Sequence, residues 1–403
     1  MRIVVLAGGS DQIALIDEFK RRGHYVILVD YYDNPPAKLF SDKHIVASTL
    51  DLERVKDIVL EEQADLVCTA CTDQALLTVA MVSEQLNMPC YLSYKTALNV
   101  TNKSYMKRMM IENGISTSRY IIVKEYDKSD FVNLNFPLVV KPVDCNSSKG
   151  VKLALSFLDL ELYIKEAILL SRTKTVIVEE FKKGKEISAD FYVENGVAKL
   201  LSATASQKIK CQNSFTILSS EYPAVSIQQE KQLELIATDI ARVFNLTNSP
   251  LLIQLILEND IFYVLEFSAR MGGGSKYSLI RTLSGVNIMS KYVDLVLGGR
   301  PTVSPVKSDR YYRMVYVYSE PGVLDHVMGL EELYNEKVID KYFIYKTKGM
   351  KILASETSGD RSAGYLVSAC SEQELMTKIE IVDSRIQVVS DEGTDIMKHK
   401  LYL

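Results

Sequence analysis

Residues 252–274 read LIQLILENDIFYVLEFSARMGGG, two apolar runs hinged on Glu258-Asn259-Asp260. The runs Leu251–Leu257 and Ile261–Phe267 predict two consecutive strands joined by a tight turn. Each run is interrupted by a polar side chain, Gln254 in the first and Glu266 in the second, twelve positions apart. Counted back from the turn, the two fall near each other across an antiparallel pair. Polar side chains inside such runs need partners. Hard oxygen donors of this kind suit Mg²⁺, which is usually held by one or two carboxylates together with nucleotide phosphates. A satisfied buried pair accounts for the same residues. Ser268 adds a hydroxyl, Arg270 a permanent cation, and the loop from 268 to 275 carries Gly272, Gly273 and Gly274.

Upstream, residues 136–150 read FPLVVKPVDCNSSKG. Lys141 closes an apolar run, and a loop of small polar residues follows. A lysine beside a loop with free backbone N–H groups can cradle phosphate oxygens. The loop is poor in glycine, with Ser147, Ser148 and only Gly150, so an ordinary polar hairpin with a snorkelling lysine is the competing reading. Residues 176–186, VIVEEFKKGKE, place Glu179, Glu180 and Phe181 at a strand end and Glu186 beyond a glycine turn. Carboxylates there can accept from ribose hydroxyls or an adenine amino group, and the phenyl ring can bracket a purine. A charged hairpin fits equally.

The first ninety-odd residues alternate short apolar runs (3–6, 25–29, 64–68) with amphipathic helices (11–22, 51–62), the pattern of a parallel sheet. Ligands of such sheets gather at the carboxyl ends of the strands, which here carry Gly8-Gly9-Ser10, Asp30 and Asp73. Gly8-Gly9 with Asp30 about twenty residues on is a partial dinucleotide fingerprint; the third glycine is missing, so a doubly wound fold without NAD is preferred. Gly298-Gly299-Arg300-Pro301 reads as a linker.

Length supports several units in one chain: 403 residues at roughly 150 per domain give two to four. The 47 basic and 51 acidic residues balance to −4, which argues against nucleic acid as a partner. No apolar run is long enough to span a bilayer, and the first run is too short for a signal peptide, so a cytoplasmic location is expected. Six scattered cysteines do not form a disulfide framework. Cys68-x-x-Cys71 has no second pair at zinc spacing and is read as packing at a strand end.

In order and spacing, the segments 136–150, 176–186 and 252–274 resemble the ATP-grasp superfamily, and 1–98 is similar to the domain that precedes such modules. The tail, with Asp360-Arg361-Ser362-Ala363-Gly364-Tyr365, resembles carboxylate–amine ligases of the L-amino-acid ligase type. The resemblance implies a fold of mixed α/β and α+β class: a Rossmann-like parallel-sheet domain (1–98), an ATP-grasp domain (99–300, with a mobile lid of about 115–183) and a small C-terminal α+β domain (301–403). It implies ATP and Mg²⁺ (or Mn²⁺) as cofactors, with Lys103 and Lys141 on the phosphates, and Ser147, Ser148 and Gly150 in the loop over them. Glu179, Glu180 and Phe181 would lie at the adenine and Glu186 at the ribose. Gln254, Glu266 and Ser268 take the metal positions, Lys208 and Arg270 the phosphoryl, and Gly272, Gly273 and Gly274 join Arg270 at the substrate. The implied partners are a small carboxylate and an amine, without nucleic acid or membrane, in a chain that a homodimer would suit.

Three departures bear on that picture. Glutamine stands at 254 for the usual acid, as it also does in carbamoyl phosphate synthetases; Ser268 replaces an asparagine, and Ala269 a proline. Glu266 is left as the one full negative charge for two metal ions. The expected reaction is amide-type bond formation through an acyl phosphate, releasing ADP and phosphate. Phosphoribosylglycinamide synthetase or a carbamoyl-phosphate-synthetase-like ligase is the alternative within the family. A nucleotide-binding regulatory module without turnover is the alternative outside it.

Overall fold

Four short runs, β1 (Arg2–Leu6), β2 (Tyr25–Asp30), β3 (Lys43–Val46) and β4 (Leu66–Cys68), pair in parallel in the order β3-β2-β1-β4. The computed structural model describes residues 1–145, 150–209, 215–353 and 357–401. Alternation along β1 decides which helices cover which face. Ile3 and Val5 pack with Leu15, Ile16 and Phe19 of α1 (Asp11–Arg21), whereas Val4 and Leu6 pack with Val55, Ile58 and Val59 of α2 (Leu52–Glu61) and Val79 and Val82 of α3 (Asp73–Gln85). Helix α3 starts at Asp73, so that carboxylate stands at the carboxyl end of the sheet. Helix α4 (Tyr94–Thr101) leads into α5 (Lys103–Glu112), whose N-terminus is capped by the Asn102 side chain accepting from Tyr105 N–H at 3.0 Å. That cap fixes Lys103 as the first residue of α5.

A second layer follows. Strands β5 (Tyr120–Val123), β6 (Leu138–Pro142), β7 (Lys152–Ala154) and β8 (Val176–Glu180) form an antiparallel sheet in the order β5-β8-β6-β7, crossed by α6 (Phe157–Leu170). Leu138, Val140 and Val178 sink into one core with Leu160, Ile164 and Ala167 of α6. By alternation, Val139, Lys141 and Glu179 face the other way, and Val139 is the register partner of Glu179.

The largest sheet contains β9 (Lys185–Glu194), β10 (Val197–Lys208), β11 (Ile217–Tyr222), β12 (Asn248–Glu258) and β13 (Ile261–Ser268), backed by α7 (Ile227–Val243), α8 (Lys276–Ser284) and α9 (Ile288–Val296). Beyond residue 300 come β14 (Tyr311–Val317), β15 (Gly322–Met328), α10 (Leu330–Asn335), β16 (Lys341–Ile344), β17 (Lys351–Ile352), β18 (Ala363–Ala369), α11 (Glu372–Arg385) and β19 (Gln387–Ser390). The chain from 301 onward contributes α+β structure, but it is not set apart from the middle. Strand β11 pairs with β14, so the sheet runs on in the order β13-β12-β9-β10-β11-β14-β18-β16, and β17-β15-β19 forms a smaller sheet beside it.

The dinucleotide alternative meets an obstacle at the first turn. The Asp30 carboxylate accepts from Gly8 N–H at 2.6 Å and Tyr32 N–H at 2.8 Å, so it is spent on the turn. A Cβ on Gly8 would lie 2.5 Å from Pro35 Cβ, so proline already fills the space where a pyrophosphate would approach. Cys68 is a core residue of β4, and the Cys71 thiol donates to the Gly272 carbonyl at 3.3 Å. Among the described residues there is no group of three or more His, Cys, Asp or Glu side chains arranged to hold a metal ion. No described helix is long and apolar enough to cross a membrane.

Candidate active site

The register of β12 and β13 builds the floor of the site. Near the turn the pairing follows a plain hairpin count, Glu258 with Ile261 and Leu255 with Val264. Continued unchanged, that count would place Leu265 opposite Gln254. A bulge between Gln254 and Leu255 advances the register by one, and Glu266 becomes the partner of Gln254. Bulges re-aim side chains in this way. Leu265 and Glu266, although adjacent, both line the same cavity.

That cavity, of about 150 Å³, lies between the face of β6 and β8 turned away from α6 and the central strands. Val139, Phe181, Phe215, Ile217, Ile256 and Leu265 give it apolar walls, and Lys103, Lys141, Lys208, Glu186, Gln254 and Glu266 gather there as well. Lys103 Nζ stands 3.3 Å from Glu266 and donates to the Cys145 carbonyl at 2.9 Å, tying the start of α5 to the loop after β6. Lys208 Nζ stands 2.9 Å from Glu186 and donates to the Phe215 carbonyl at 3.1 Å. Lys182 joins the lining and lies over the Tyr263 ring at 4.5 Å.

Glu179 lines the same cavity, but its carboxylate is already engaged. Its carboxylate is buried and pairs with two ammonium groups, Lys107 at 2.6 Å and Lys141. Burial opposes its charge, but Lys107 and Lys141 outweigh that and draw its pKa down to about 2. Acting in the same way on the other partner, burial disfavours the Lys141 charge while Glu179 and Glu266 hold its pKa above the usual lysine value. Lys107, 1% exposed, is the deeper of the two lysines, and burial pulls its pKa below the usual value in spite of Glu179. It also donates to the Thr117 hydroxyl at 2.6 Å. Glu179 is therefore a counter-ion that fixes Lys141 rather than an open acceptor. Sequence reasoning missed Lys107, although its spacing of four from Lys103 puts both on one face of α5.

Glu180 also lines the cavity, but its Oε1 accepts from the Asn135 backbone and side-chain N–H groups, both at 3.0 Å. The Phe181 N–H donates to the Pro137 carbonyl at 2.9 Å, so that amide is not offered to a base. Gly150 does not line the cavity. At φ +74° it closes against Pro142 and Leu170, the latter 2.7 Å from where a Cβ would stand. Ser147 and Ser148 lie outside the described residues.

Ser268 and Arg270 line an adjoining, smaller chamber of about 40 Å³ that shares Lys103, Gln254 and Glu266 with the larger cavity. The Ser268 hydroxyl donates to Asp73 Oδ1, on the first residue of α3, which leaves its oxygen lone pairs as acceptors. Arg270 Nε donates to the same Oδ1 at 2.7 Å and Nη2 to Oδ2, while Nη1 donates to the Met271 carbonyl at 2.6 Å. Burial raises the Asp73 pKa, but Arg270 and Ser268 more than offset it and hold the carboxylate below its usual value. Glu266 is lowered too, with Lys103 and Lys141 overcoming burial.

The triple glycine lines neither chamber. It is gripped from several sides: Asp11 accepts from Gly274 N–H at 2.9 Å and Ser275 N–H at 2.7 Å, Cys71 donates to Gly272, and the Tyr316 hydroxyl donates to the Gly274 carbonyl at 3.1 Å. At φ +70°, a Cβ on Gly274 would strike Arg361 and lie 2.9 Å from the Tyr316 oxygen. Asp190, 2% exposed, has an Oδ1 that would meet a Cβ on Gly272 at 3.0 Å.

A slot between two antiparallel layers, with lysines from both, is the arrangement that the resemblance to ATP-grasp proteins implies, and residues 101–214 match a domain of that kind. The family model described as "Phosphoribosylglycinamide synthetase, ATP-grasp (A) domain" matches residues 101–214. Among curated proteins, the chain is 27% identical over 186 residues to the formate-dependent phosphoribosylglycinamide formyltransferase of Bacillus subtilis (45% of this chain, 48% of that one). It is 31% identical over 189 residues to that of Hydrogenovibrio crunogenus (44% and 47%). The chain thus matches about half the length of these relatives. Among solved structures, it is similar to the L-amino acid ligase of Bacillus licheniformis, with TM-score 0.79, 20% identity, and 97% and 98% of the two chains covered. It is also similar to N5-carboxyaminoimidazole ribonucleotide synthetase of Thermotoga maritima, with TM-score 0.75, 20% identity, and 97% and 99% covered.

Proposed function

We propose that the chain is an ATP-dependent carboxylate–amine ligase that activates a small acid as its acyl phosphate and passes the acyl group to an amine, releasing ADP and phosphate. The observation that carries this reading is the convergence of Lys103, Lys141 and Lys208 with Gln254 and Glu266 around one apolar-walled slot. The apolar walls suit a purine, and Glu186 with Lys208 sits where a ribose and phosphate would follow. Lys141, held charged by Glu179, meets the phosphates from β6, and Lys103 meets them from the start of α5.

The donors at the slot fit magnesium: Glu266 and the Gln254 side-chain oxygen are hard oxygen ligands on facing register positions. When bound, the ion would supply neutralisation of phosphate charge. Such chemistry needs positioning and charge stabilisation rather than a side-chain nucleophile. Arg270 would lie against the group being transferred. The face of β6 and β8 would cover the slot and keep water from the activated acid. The acid and amine are small molecules, the amine being of the kind met by the purine-pathway relatives or an amino acid. A cytoplasmic homodimer is the expected setting.

The experiment is phosphate release by the purified chain with MgATP across a panel of amino acids, amines and phosphoribosyl amines, repeated with Glu266→Ala. Turnover by the wild type that Glu266→Ala loses supports the ligase. Near-normal turnover in the variant refutes the metal assignment. MgADP binding without release from any pair favours the regulatory reading, for which the departures at Gln254 and Ser268 are the motive.

A further inference from the structure

The geometry assigns Asp73 as a positioning residue: it fixes the plane of the Arg270 guanidinium and the direction of the Ser268 hydroxyl at the edge of the reaction chamber. This rests on the ligase reading, in which Arg270 meets the transferred phosphoryl group. Asp73 opens α3 at the carboxyl end of the first parallel sheet, 197 residues away in sequence from Arg270. Its two oxygens take Nε and Nη2 of the guanidinium, and the Met271 carbonyl takes Nη1 from another side.

A guanidinium has five N–H groups. Three are held by these bonds, so the plane is set and one hydrogen remains on each terminal nitrogen for the contents of the chamber. Side-chain exposures of 15% for Arg270 and 19% for Asp73 leave the pair little water to compete with it. Fork-to-fork pairing gives direction as well as attraction. Asp73 therefore acts through Arg270, and the start of α3 takes part in the chemistry from the smaller chamber, without lining the larger slot. Asparagine at 73 would present one acceptor and one donor. Its amide would face a guanidinium nitrogen that is also a donor, and the fork would be broken while the volume stayed the same.

The test uses the full chain and two titrations that need no knowledge of the acid or the amine. MgADP binding is measured by calorimetry, and MgADP with aluminium fluoride then mimics the phosphoryl group in transfer. For Asp73→Asn, we expect MgADP affinity within about twofold of wild type and a loss of aluminium fluoride trapping of at least tenfold, the scale of one lost directional charge contact. Arg270→Lys, which keeps the charge and loses the fork, should lose the same amount, and the double variant should lose no more than either single variant. Should Asp73→Asn fail to fold by circular dichroism, Arg270→Lys and Ser268→Ala carry the same expectation. Wild-type trapping by Asp73→Asn, additive losses in the double variant, or a wild type that binds MgADP yet traps no fluoride would each overturn the assignment. A wild type that binds no MgADP would instead overturn the ligase reading beneath it.

Discussion

Replacing Glu179 by glutamine removes a charge that two buried lysines share. Lys107 is 2% exposed at its side chain and stands 2.6 Å from Glu179, while Lys141, at 14%, also has Glu266 within reach of its field. The loss therefore falls mainly on Lys107. Breaking a buried pair by removing one partner costs about 3–5 kcal/mol, because the remaining charge is left uncompensated. Lys141 retains part of its support, so the expected destabilisation is near the lower end, about 3 kcal/mol. Urea unfolding followed by circular dichroism, in a chain with no tryptophan, should show a lowered midpoint at unchanged slope. Lys107→Met added to Glu179→Gln should recover much of the loss, since the stranded ammonium is then gone. The pH dependence has a definite sign. Glu179 has a folded pKa of about 2 against an ordinary 4.5, so its contribution is complete above about 4.5 and fades as the pH falls from there toward 2. Glu179→Gln should flatten that part of the stability curve. A loss under about 1 kcal/mol, or an acid limb unchanged by the variant, would refute the idea that Glu179 is the counter-ion of this pair.

Other outcomes can be checked singly. Lys141→Ala should raise the KM for ATP at least severalfold in steady-state assays; an unchanged value would place the phosphates elsewhere. Gly274→Ala, forced to φ +70° against Arg361 and Tyr316, should lose about 2 kcal/mol or more in thermal unfolding. Gly9→Ala, whose Cβ meets nothing within 4 Å, serves as its control. His399 bonds Asp395 at 3.0 Å through Nε2 and the Asp383 carbonyl at 2.9 Å through Nδ1, and these partners raise its pKa. Its stabilisation is complete below the ordinary histidine value and is lost as pH rises through the raised one. Hydrogen exchange across residues 395–401, corrected for intrinsic rates, should therefore quicken as the pH rises above the ordinary histidine value, and His399→Gln should abolish the trend.

Much of this site was legible because its residues break a pattern. Lys141 and Glu266 interrupt apolar strands, and an interruption is visible in a single sequence. The hairpin of β12 and β13 was readable from its turn, but the bulge that brings Glu266 opposite Gln254 leaves no mark in composition. Lys107 was hidden because a lysine in a helix ordinarily points to water, and only the arrival of β8 buries it. The Asp73–Arg270 fork joins residues that no local rule connects. Helix α3, buried along Ala75, Leu76, Val79, Ala80 and Val82, lacked the clear polar face by which surface helices announce themselves. The segment after 300 reads as a linker followed by short strands, and nothing in it tells that β14 will extend an existing sheet.

That extension has a mechanical consequence. With β11 hydrogen-bonded to β14 along Ser219–Tyr222, the floor of the slot and the chain that bears Arg361 form one continuous plate. Any hinging that admits a nucleotide is thereby left to the α6-bearing sheet, and the glycine loop beneath Tyr316 rides on a stationary anvil. Severing the chain near residue 300 would expose a raw strand edge on β11 and invite self-association, so the shortened protein should be lost to aggregates before its chemistry could be assayed.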